Sequence, residues 1–250
     1  MGEDTHEGHF RKALQVSSYY KDKEEAQILK SGTVGEWSSY ESGLVDYEKT
    51  FHAFGDQPIQ AFLKERTSLG KSRVAIDIAG AGQILRDLDN SHLLDRGLAV
   101  TLADSRIKTQ IDADEKKQLV VVSGDIFRRN TWNKMKRWLG SNQYTDLIMS
   151  RPVGGFANTP PSLDLWLTML RRSWDILSPD GGLLLAQLPK ELEVNGLDDW
   201  KKWAEKKNKC KIIIYPEGWT RKGVKNPFDS TPVVEIYPLL KLQKLTFMKV

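Results

Sequence analysis

Short apolar runs alternate with longer amphipathic segments from residue 72 to the end of the chain. Runs of four or five apolar residues bounded by turn-forming residues predict buried strands, and apolar positions three or four residues apart predict helices. The predicted strands are Val74–Ile78, Leu98–Leu102, Leu119–Val122, Asp146–Met149, Leu183–Gln187, Lys211–Tyr215 and one near Val233–Tyr237. The predicted helices are Ile84–Leu94, Ile107–Lys117, Asn130–Leu139, a long helix with apolar positions from Leu163 to Leu177, and a basic helix around Asp198–Lys207.

Alternating strands and helices of this kind predict an α/β fold with a mostly parallel sheet and helices on both faces. The last two predicted strands have no helical pattern between them. They are joined by a polar stretch, Pro216–Thr231, which favours an antiparallel connection. We therefore expect a Rossmann-like, seven-stranded sheet in which one strand is reversed.

Residues 1–70 have a different pattern and are expected to form a helical N-terminal extension or lid before a main domain at 71–250. The polar stretch Glu7–Lys30 predicts one or two short helices or a partly ordered arm. Aromatic and leucine side chains then recur at helical spacing, and a second short helix is expected before Gly70. The residues of the aromatic face are Trp37, Tyr40, Leu44, Tyr47, Phe51 and Phe54, and those of the second helix are Ile59, Phe62 and Leu63. This face either packs on the main domain or covers a ligand and substrate site.

The composition narrows the classes of protein to which the chain can belong. Cys210 is the only cysteine of the 250 residues, so an internal disulfide or a cysteine zinc cluster is excluded and a reducing compartment is favoured. The net charge of +4 is compatible with a nucleic-acid partner without demanding one. No apolar run approaches the length of a membrane span and the first residues are polar and acidic, so we expect a cytoplasmic protein with no membrane partner. The four histidines show no metal-ligand spacing, and no metal is expected.

The turn after the first strand is the main candidate for ligand binding. Val74–Ile78 is followed by Ala79-Gly80-Ala81-Gly82, whose small side chains allow a ligand to approach the backbone and the start of the next helix. A nucleotide-like ligand is expected there. A dinucleotide fingerprint, and with it an NAD-type oxidoreductase, is a weak match because Leu85 stands where a third glycine or alanine is required.

A second and broader match rests on five motifs that follow one another along the chain, each on its own predicted element. They are Asp77-Ile78-Ala79-Gly80-Ala81-Gly82-Gln83, Leu102-Ala103-Asp104-Ser105, Ser123-Gly124-Asp125-Ile126-Phe127, Asp146-Leu147-Ile148-Met149-Ser150-Arg151-Pro152 and Leu177-Ser178-Pro179-Asp180-Gly181-Gly182. From about Val74 to Tyr237 the chain thereby resembles the class I S-adenosylmethionine-dependent methyltransferases. The resemblance implies S-adenosylmethionine as the cofactor and methyl transfer to an acceptor that is a small molecule, RNA or protein.

The resemblance and the chemistry of the side chains agree on the roles of the cofactor-binding candidates. The carboxylate of Asp104 suits the two ribose hydroxyls because an ionised carboxylate only accepts hydrogen bonds. Asp125 would accept from the adenine amino group, with Ile126 or Phe127 against the ring. The methionine part would lie on the backbone of Ala79, Gly80 and Ala81, and Asp77 would act through water or a nearby N–H. Alternatively, Asp77 pins the turn, Asp104 caps the next helix and Asp125 is a loop acid without a ligand.

The first motif departs from the family pattern. Ala79 and Ala81 stand where glycines are usual, and Gln83 replaces a third glycine. We expect negative φ angles at the two alanines, because an added methyl group restricts the backbone. This degenerate motif also leaves open a non-catalytic, methyltransferase-like subunit that holds a protein partner or nucleic acid.

The fourth-strand motif, Ser150-Arg151-Pro152-Val153, lacks the Asn and the aromatic residue typical of enzymes that methylate base amino groups. Arg151 either grips a substrate carboxylate or phosphate or pairs with a neighbouring acid. Ser150, Arg151, Pro152 and Tyr47 are the candidate substrate-binding residues, and no catalytic base is evident. The lysine run between Lys201 and Lys209 is either a solvated helix face or an RNA contact.

Overall fold

A seven-stranded sheet runs through the computed structural model, which describes residues 43–80, 82–101, 104, 106, 108–142, 144–151, 163–188, 194–220 and 230–239. The strands are β1 Val74–Ile78, β2 Arg96–Thr101, β3 Leu119–Ser123, β4 Leu147–Ser150, β5 Leu183–Gln187, β6 Cys210–Thr220 and β7 Ser230–Pro238. Their order across the sheet is β3-β2-β1-β4-β5-β7-β6. Only β7 is antiparallel to its neighbours, so the predicted sheet with one reversed strand is confirmed.

The last two strands are longer than predicted. Residues 216–220 and 230–231 of the stretch predicted as a loop, Pro216–Thr231, belong to β6 and β7. The pairing of these strands shifts register between Tyr215 and Trp219. The shift falls where Pro216 interrupts the strand. Proline lacks an N–H donor and is tolerated at bulges and on edge strands, and β6 is an edge strand. The predicted end of the strand at Tyr215 is therefore wrong.

Helices cover both faces of the sheet. They are α1 Leu44–Thr50, α2 Pro58–Ser68, α3 Gln83–Asn90, α4 Lys108–Lys116, α5 Arg129–Leu139, α6 Leu163–Ile176 and α7 Val194–Asn208, with 3-10 turns at His52–Phe54 and Gly140–Asn142. The helix predicted to reach Leu94 ends at Asn90, because the backbone turns left-handed at His92 with φ +56°. The aromatic-faced helix likewise ends at Thr50 and continues as a 3-10 turn. The predictions for Glu7–Lys30, Trp37 and Tyr40 lie outside the described residues.

Alternation along the strands divides the core into two layers. Ile76 and Ile78 of β1 face a cluster built by α5, α6 and α7. Ala75 of the same strand faces a second cluster, built by α1, α2 and α3. Asp77 lies on that second side, beneath α1. A buried acid at the end of the first strand is thus placed where the N-terminal helices meet the sheet.

The two N-terminal helices share this second core and are fixed to the sheet by buried polar contacts. Arg66 of α2 forms an ion pair of 2.5 Å with Asp146, and both side chains are buried. The backbone N–H of Leu44, at the start of α1, donates to Asp87 of α3 at 2.8 Å. Glu48 accepts from the first turn of α2, since its carboxylate lies 2.9 Å from the backbone nitrogen of Gln60. The described part of the aromatic face, Leu44, Tyr47 and Phe51, therefore packs on the sheet. The predicted division of the chain at residue 70 stays a prediction.

Among the helices of the described residues, none combines the length and the apolar character that crossing a membrane requires.

Candidate functional site

The carboxylate of Asp77, at the end of β1, is the centre of the site. It is 1% exposed, and its two oxygens accept from different elements. The hydroxyl of Tyr47 in α1 donates to Oδ1 at 2.6 Å, and the backbone N–H of Gly82 donates to Oδ2 at 3.3 Å. Burial raises the pKa of Asp77 to about 6, although both hydrogen bonds favour the ionised form. The expected interaction of Asp77 with a nearby N–H is present, and α1 supplies a second donor.

The turn above Asp77 requires a glycine at position 80. A Cβ atom at Gly80 would lie 2.1 Å from Oδ2 of Asp77, which is far inside van der Waals contact. Gly82 has φ +82° and begins α3. These two glycines of the first motif are therefore needed for the turn itself, whatever ligand it holds.

Ala79 contradicts the expected negative φ. Its φ is +63°, in the left-handed region, while its N–H donates to the carbonyl of Val100 at 2.9 Å. This hydrogen bond continues the pairing of β1 with β2 as far as Ala79. A left-handed alanine costs about 1–2 kcal/mol. Ala81 lies outside the described residues.

Arg151, directly after β4, is buried beside Asp77. It is 5% exposed, its Nε donates to the hydroxyl of Thr50 at 2.6 Å, and its guanidinium carbon lies 5.5 Å from the ring centre of Tyr47. The positive charge of Arg151 lowers the pKa of Asp77, although less than burial raises it. Tyr47, Asp77 and Arg151 are thus brought together, with Thr50 as a partner that the sequence did not indicate.

Ser150, the last residue of β4, is fully buried next to Ile78 and Ala186. Its hydroxyl has no hydrogen-bond partner among the residues that the structure describes. Buried hydroxyl groups normally have a partner, so Ser150 is an exception among the described residues. Pro152, another candidate substrate-binding residue, lies outside the described residues.

Asp104 lies three residues beyond β2, with its N–H donating to the hydroxyl of Ser123 at the end of β3. Its carboxylate forms a two-point ion pair with Arg106, at 2.9 Å from Nε to Oδ1 and 2.7 Å from Nη2 to Oδ2. These hydrogen bonds hold the pKa of Asp104 below its ordinary value. Arg106 also donates to Asp114, which accepts from Arg86 at 2.7 Å. Asp104 is therefore one end of a chain of alternating charges.

The side chain of Asp125 is 6% exposed and has local partners. Its Oδ1 accepts from the backbone N–H of Phe127 at 2.8 Å, and its carbonyl accepts from the hydroxyl of Thr131 at 2.6 Å. The neighbouring Ile126 is buried, and its carbonyl accepts from the indole N–H of Trp132. These bonds fix the loop that leads into α5, as the reading without a ligand expects. The predicted contact with adenine stays a prediction.

The sequence analysis did not predict two contacts of arginine side chains at the site, those of Arg106 with Asp104 and of Arg151 with Thr50. Arg106 stands two residues after Asp104, and a short spacing of opposite charges is a signal that sequence reasoning can use. The pairing of Arg151 with Thr50 joins residues 101 positions apart and leaves no such signal. In the part of the chain that the structure describes, no group of three or more His, Cys, Asp or Glu side chains is arranged to hold a metal ion.

Comparisons with known proteins bear on the fold. No family model and no curated protein sequence matches the chain. The plantazolicin methyltransferase BpumL in complex with SAH matches with a TM-score of 0.54 at 10% identity, over 91% of this chain and 98% of that one. The complex of BpumL with a triazolic desmethylPZN analogue and SAH matches with 0.52 at 11% identity, over 94% and 98%. The methyltransferase domain of bacterial CtHen1-C matches with 0.43 at 12% identity, over 76% and 97%.

The chain has the class I S-adenosylmethionine-dependent methyltransferase fold. The strand order and the antiparallel β7 are typical of that fold. In sheets of this kind ligands lie beyond the carboxyl ends of the strands, where the strand order reverses. In this sheet the reversal falls between β1 and β4, next to Asp77, Ser150 and Arg151, whose side chains are buried.

The candidate ribose-binding carboxylate, Asp104, has too few unoccupied acceptor positions for a ribose while it is paired with Arg106. A carboxylate offers about four acceptor positions. Arg106 uses three of those of Asp104, through Nε, Nη2 and its backbone N–H. A ribose diol brings two donors, so one bond of Arg106 has to yield when both hydroxyls bind. The residues fit the cofactor if Arg106 moves.

Proposed function

We propose that the chain binds S-adenosylmethionine beyond the carboxyl ends of β1 and β2 and transfers its methyl group to an acceptor. The supporting observation is the difference in exposure among the three predicted acids. The side chain of Asp104 is 25% exposed, whereas Asp77 and Asp125 are almost completely buried. Asp104 is therefore the acid that can hydrogen-bond the hydroxyls of a ribose. Asp77 instead holds the turn after β1.

The bound cofactor supplies an electrophilic methyl group, so the protein's task is to orient the acceptor and to exclude water. Tyr47 and Gly82 hold the carboxylate of Asp77, and that carboxylate fixes the turn on which the methionine part would lie. The hydroxyl of Ser150, unpaired among the described residues, is the group that we propose to hydrogen-bond an acceptor, which requires the residues that bury it to move. Arg151 supports this arrangement from within, because its side chain is buried against Tyr47 and Thr50.

Helix α1 is proposed to cover the site. Tyr47 reaches the first turn from α1, and the start of α1 is held by Asp87 of α3. A helix fixed at both points closes one side of the crevice against water. Tyr47 thereby acts on the first turn through Asp77.

A non-catalytic, methyltransferase-like binding subunit is the second candidate function. The specific observation in its favour is the pairing of Asp104 with Arg106, which occupies most of the acceptor positions that a ribose needs. The left-handed Ala79 also favours the binding subunit, because a glycine at this position of the first motif would be less strained. In this case the fold would hold a protein partner or nucleic acid.

Calorimetric titration with S-adenosylmethionine, S-adenosylhomocysteine and NAD separates these functions. We expect micromolar binding of the two adenosyl compounds and none of NAD. Asp104→Ala should abolish that binding, and Arg106→Ala should tighten it because the carboxylate is released. Asp112→Ala, an exposed acid on α4, is the matched control. Absence of adenosyl binding to the wild-type chain would refute the proposal and favour the binding subunit.

Transfer is measured with methyl-labelled S-adenosylmethionine in an extract of the source cells. Treatment with nuclease or protease, or passage through a small-pore membrane, assigns the label to RNA, protein or a small molecule. Label that appears with the wild type and not with Asp104→Ala supports the enzyme. Tight adenosyl binding without transfer to any of these fractions contradicts methyl transfer.

A further inference from the structure

A groove of about 400 Å³ lies between α6, α7 and the start of β6. Its walls carry three tryptophans, Trp174 from α6 and Trp200 and Trp203 from α7, and its floor includes Ile212 of β6. We call it the tryptophan groove. Trp174 and Trp200 are partly buried and also pack against the hydrophobic core, whereas Trp203 is exposed.

The tryptophan groove is separate from the candidate cofactor site. Cys210, which lines it, is the first residue of β6, and it pairs with Pro238 at the far end of β7. Since β6 runs parallel to β1 and β4, its first residue lies at the amino edge of the sheet. The cofactor site lies at the carboxyl edge, so a ligand in the groove does not compete with an adenosyl cofactor.

The aromatic side chains come from opposite walls. Trp200 and Trp203 are three residues apart on α7 and therefore lie on one side of that helix, and Trp174 lines the groove from α6. Trp203 is 44% exposed, which is unusual for the largest apolar side chain. Flat indole rings on two walls of a groove are suited to stacking against planar rings.

Basic side chains lie along the same surface. Arg171 and Lys207 line the groove, with Asp175 as the acid. The sequence segments 170–175 and 198–211, which supply most of the lining, together carry eight basic and four acidic residues, a net charge of +4. Burial lowers the pKa of Arg172, and the nearby charges of Arg129 and Arg171 lower it further against the opposing effect of Asp175. The lining and the segments that supply it are therefore net positive.

We propose that the tryptophan groove binds single-stranded nucleic acid, with bases stacked on its indole rings and phosphates held by the basic side chains around it. Tryptophan rings combined with a positively charged groove are the arrangement by which proteins bind unpaired strands. A duplex keeps its bases stacked internally and offers no free ring face. A membrane surface is flat, whereas the indole rings here line a concave groove. The proposal stands whether or not the chain transfers methyl groups.

The test is fluorescence anisotropy with a fluorescein-labelled twelve-nucleotide single-stranded RNA at low salt, with a duplex of the same length alongside. Trp203→Ala should weaken binding of the single strand by about tenfold or more, as expected for loss of one stacked base. Trp203→Phe should retain most of the affinity, because it keeps an aromatic face. Tyr144→Ala, which removes another half-exposed aromatic ring, is the matched control and should bind like the wild type.

The electrostatic part is tested by the double variant Arg171→Glu with Lys207→Glu. It should weaken binding and flatten the salt dependence, since each lost phosphate contact lowers the slope of log affinity against log salt by about 0.7. The matched control reverses two exposed lysines elsewhere, Lys49→Glu with Lys108→Glu. Circular dichroism and thermal melting check that every variant is folded.

Four results would overturn the proposal. Trp203→Ala binds as tightly as Tyr144→Ala, or the duplex binds as well as the single strand. The chain binds anionic phospholipid vesicles and loses this binding in Trp203→Ala, which makes the groove a membrane contact. The chain sediments as a dimer that Trp203→Ala dissociates, which makes the groove an interface between copies.

Discussion

Replacing Asp77 by Asn should remove part of the pH dependence of the unfolding free energy between pH 5 and pH 8. The pKa of Asp77 is raised to about 6 by burial, against an ordinary value of 3.8. The folded state therefore binds this proton more tightly than the unfolded chain does. The resulting stability is fully present below about pH 4 and is lost as the pH rises through about 6. A shift of about two pKa units corresponds to about 3 kcal/mol.

Asparagine keeps an oxygen for the hydroxyl of Tyr47 but carries no charge, so the variant lacks this pH dependence. The unfolding free energy of the wild type should fall by about 1.5 kcal/mol more than that of Asp77→Asn between pH 5 and pH 8. Urea titrations at four pH values in that range measure it. Taking the difference between the two proteins cancels the titration of all other carboxyl groups.

Two further variants sharpen this experiment. Tyr47→Phe removes the O–H donor that favours the ionised carboxylate, so the transition in stability should move to higher pH. Asp112→Asn, an exposed acid, should leave the pH dependence of the wild type unchanged. A difference between wild type and Asp77→Asn that is constant from pH 5 to pH 8, or grows in the opposite sense, would refute the buried and raised carboxyl group.

Three other substitutions are predicted from contacts at the first turn and below it, with chemical denaturation as the measurement. Ala79→Gly should be neutral or stabilise by up to about 1 kcal/mol, because relief of the left-handed alanine exceeds the added chain entropy; a clear loss would contradict the positive φ. Gly80→Ala should destabilise by more than about 2 kcal/mol, since its methyl group meets Asp77, and wild-type stability would disprove that contact. Arg66→Ala should cost about 3–5 kcal/mol by leaving Asp146 buried without its cation; a cost below about 1 kcal/mol would show that the pair is hydrated.

The sheet was predictable because its strands are apolar on both faces and are separated by helical patterns. β5, Leu183–Gln187, has the predicted bounds, and β1 does as well. The errors fall where local backbone geometry decides, as at His92, which ends α3 early by turning left-handed. Pro216 similarly suggested the end of a strand, whereas β6 continues past it and the pairing with β7 shifts register there.

The site was predictable only as a set of positions. The order of the strands brings Asp77 and Arg151 to the same edge, as the motifs imply. The partners of these side chains come from distant parts of the chain, and no pattern along the sequence encodes the contact of Tyr47 with Asp77. The sign of φ at Ala79 was wrong, because a general preference of alanine was applied to a turn that the neighbouring strands dictate.

The hydrogen bond from Tyr47 to Asp77 makes α1 and the glycine turn parts of one thermodynamic unit. Energetic coupling between two sites is reciprocal. A molecule that binds the turn more tightly when α1 is docked must, by the same factor, shift the docking equilibrium of α1 towards the docked state. A ligand bound at the turn would then reduce protease cleavage of the short connection after α1, at His52–Gln57, although the ligand does not contact that connection.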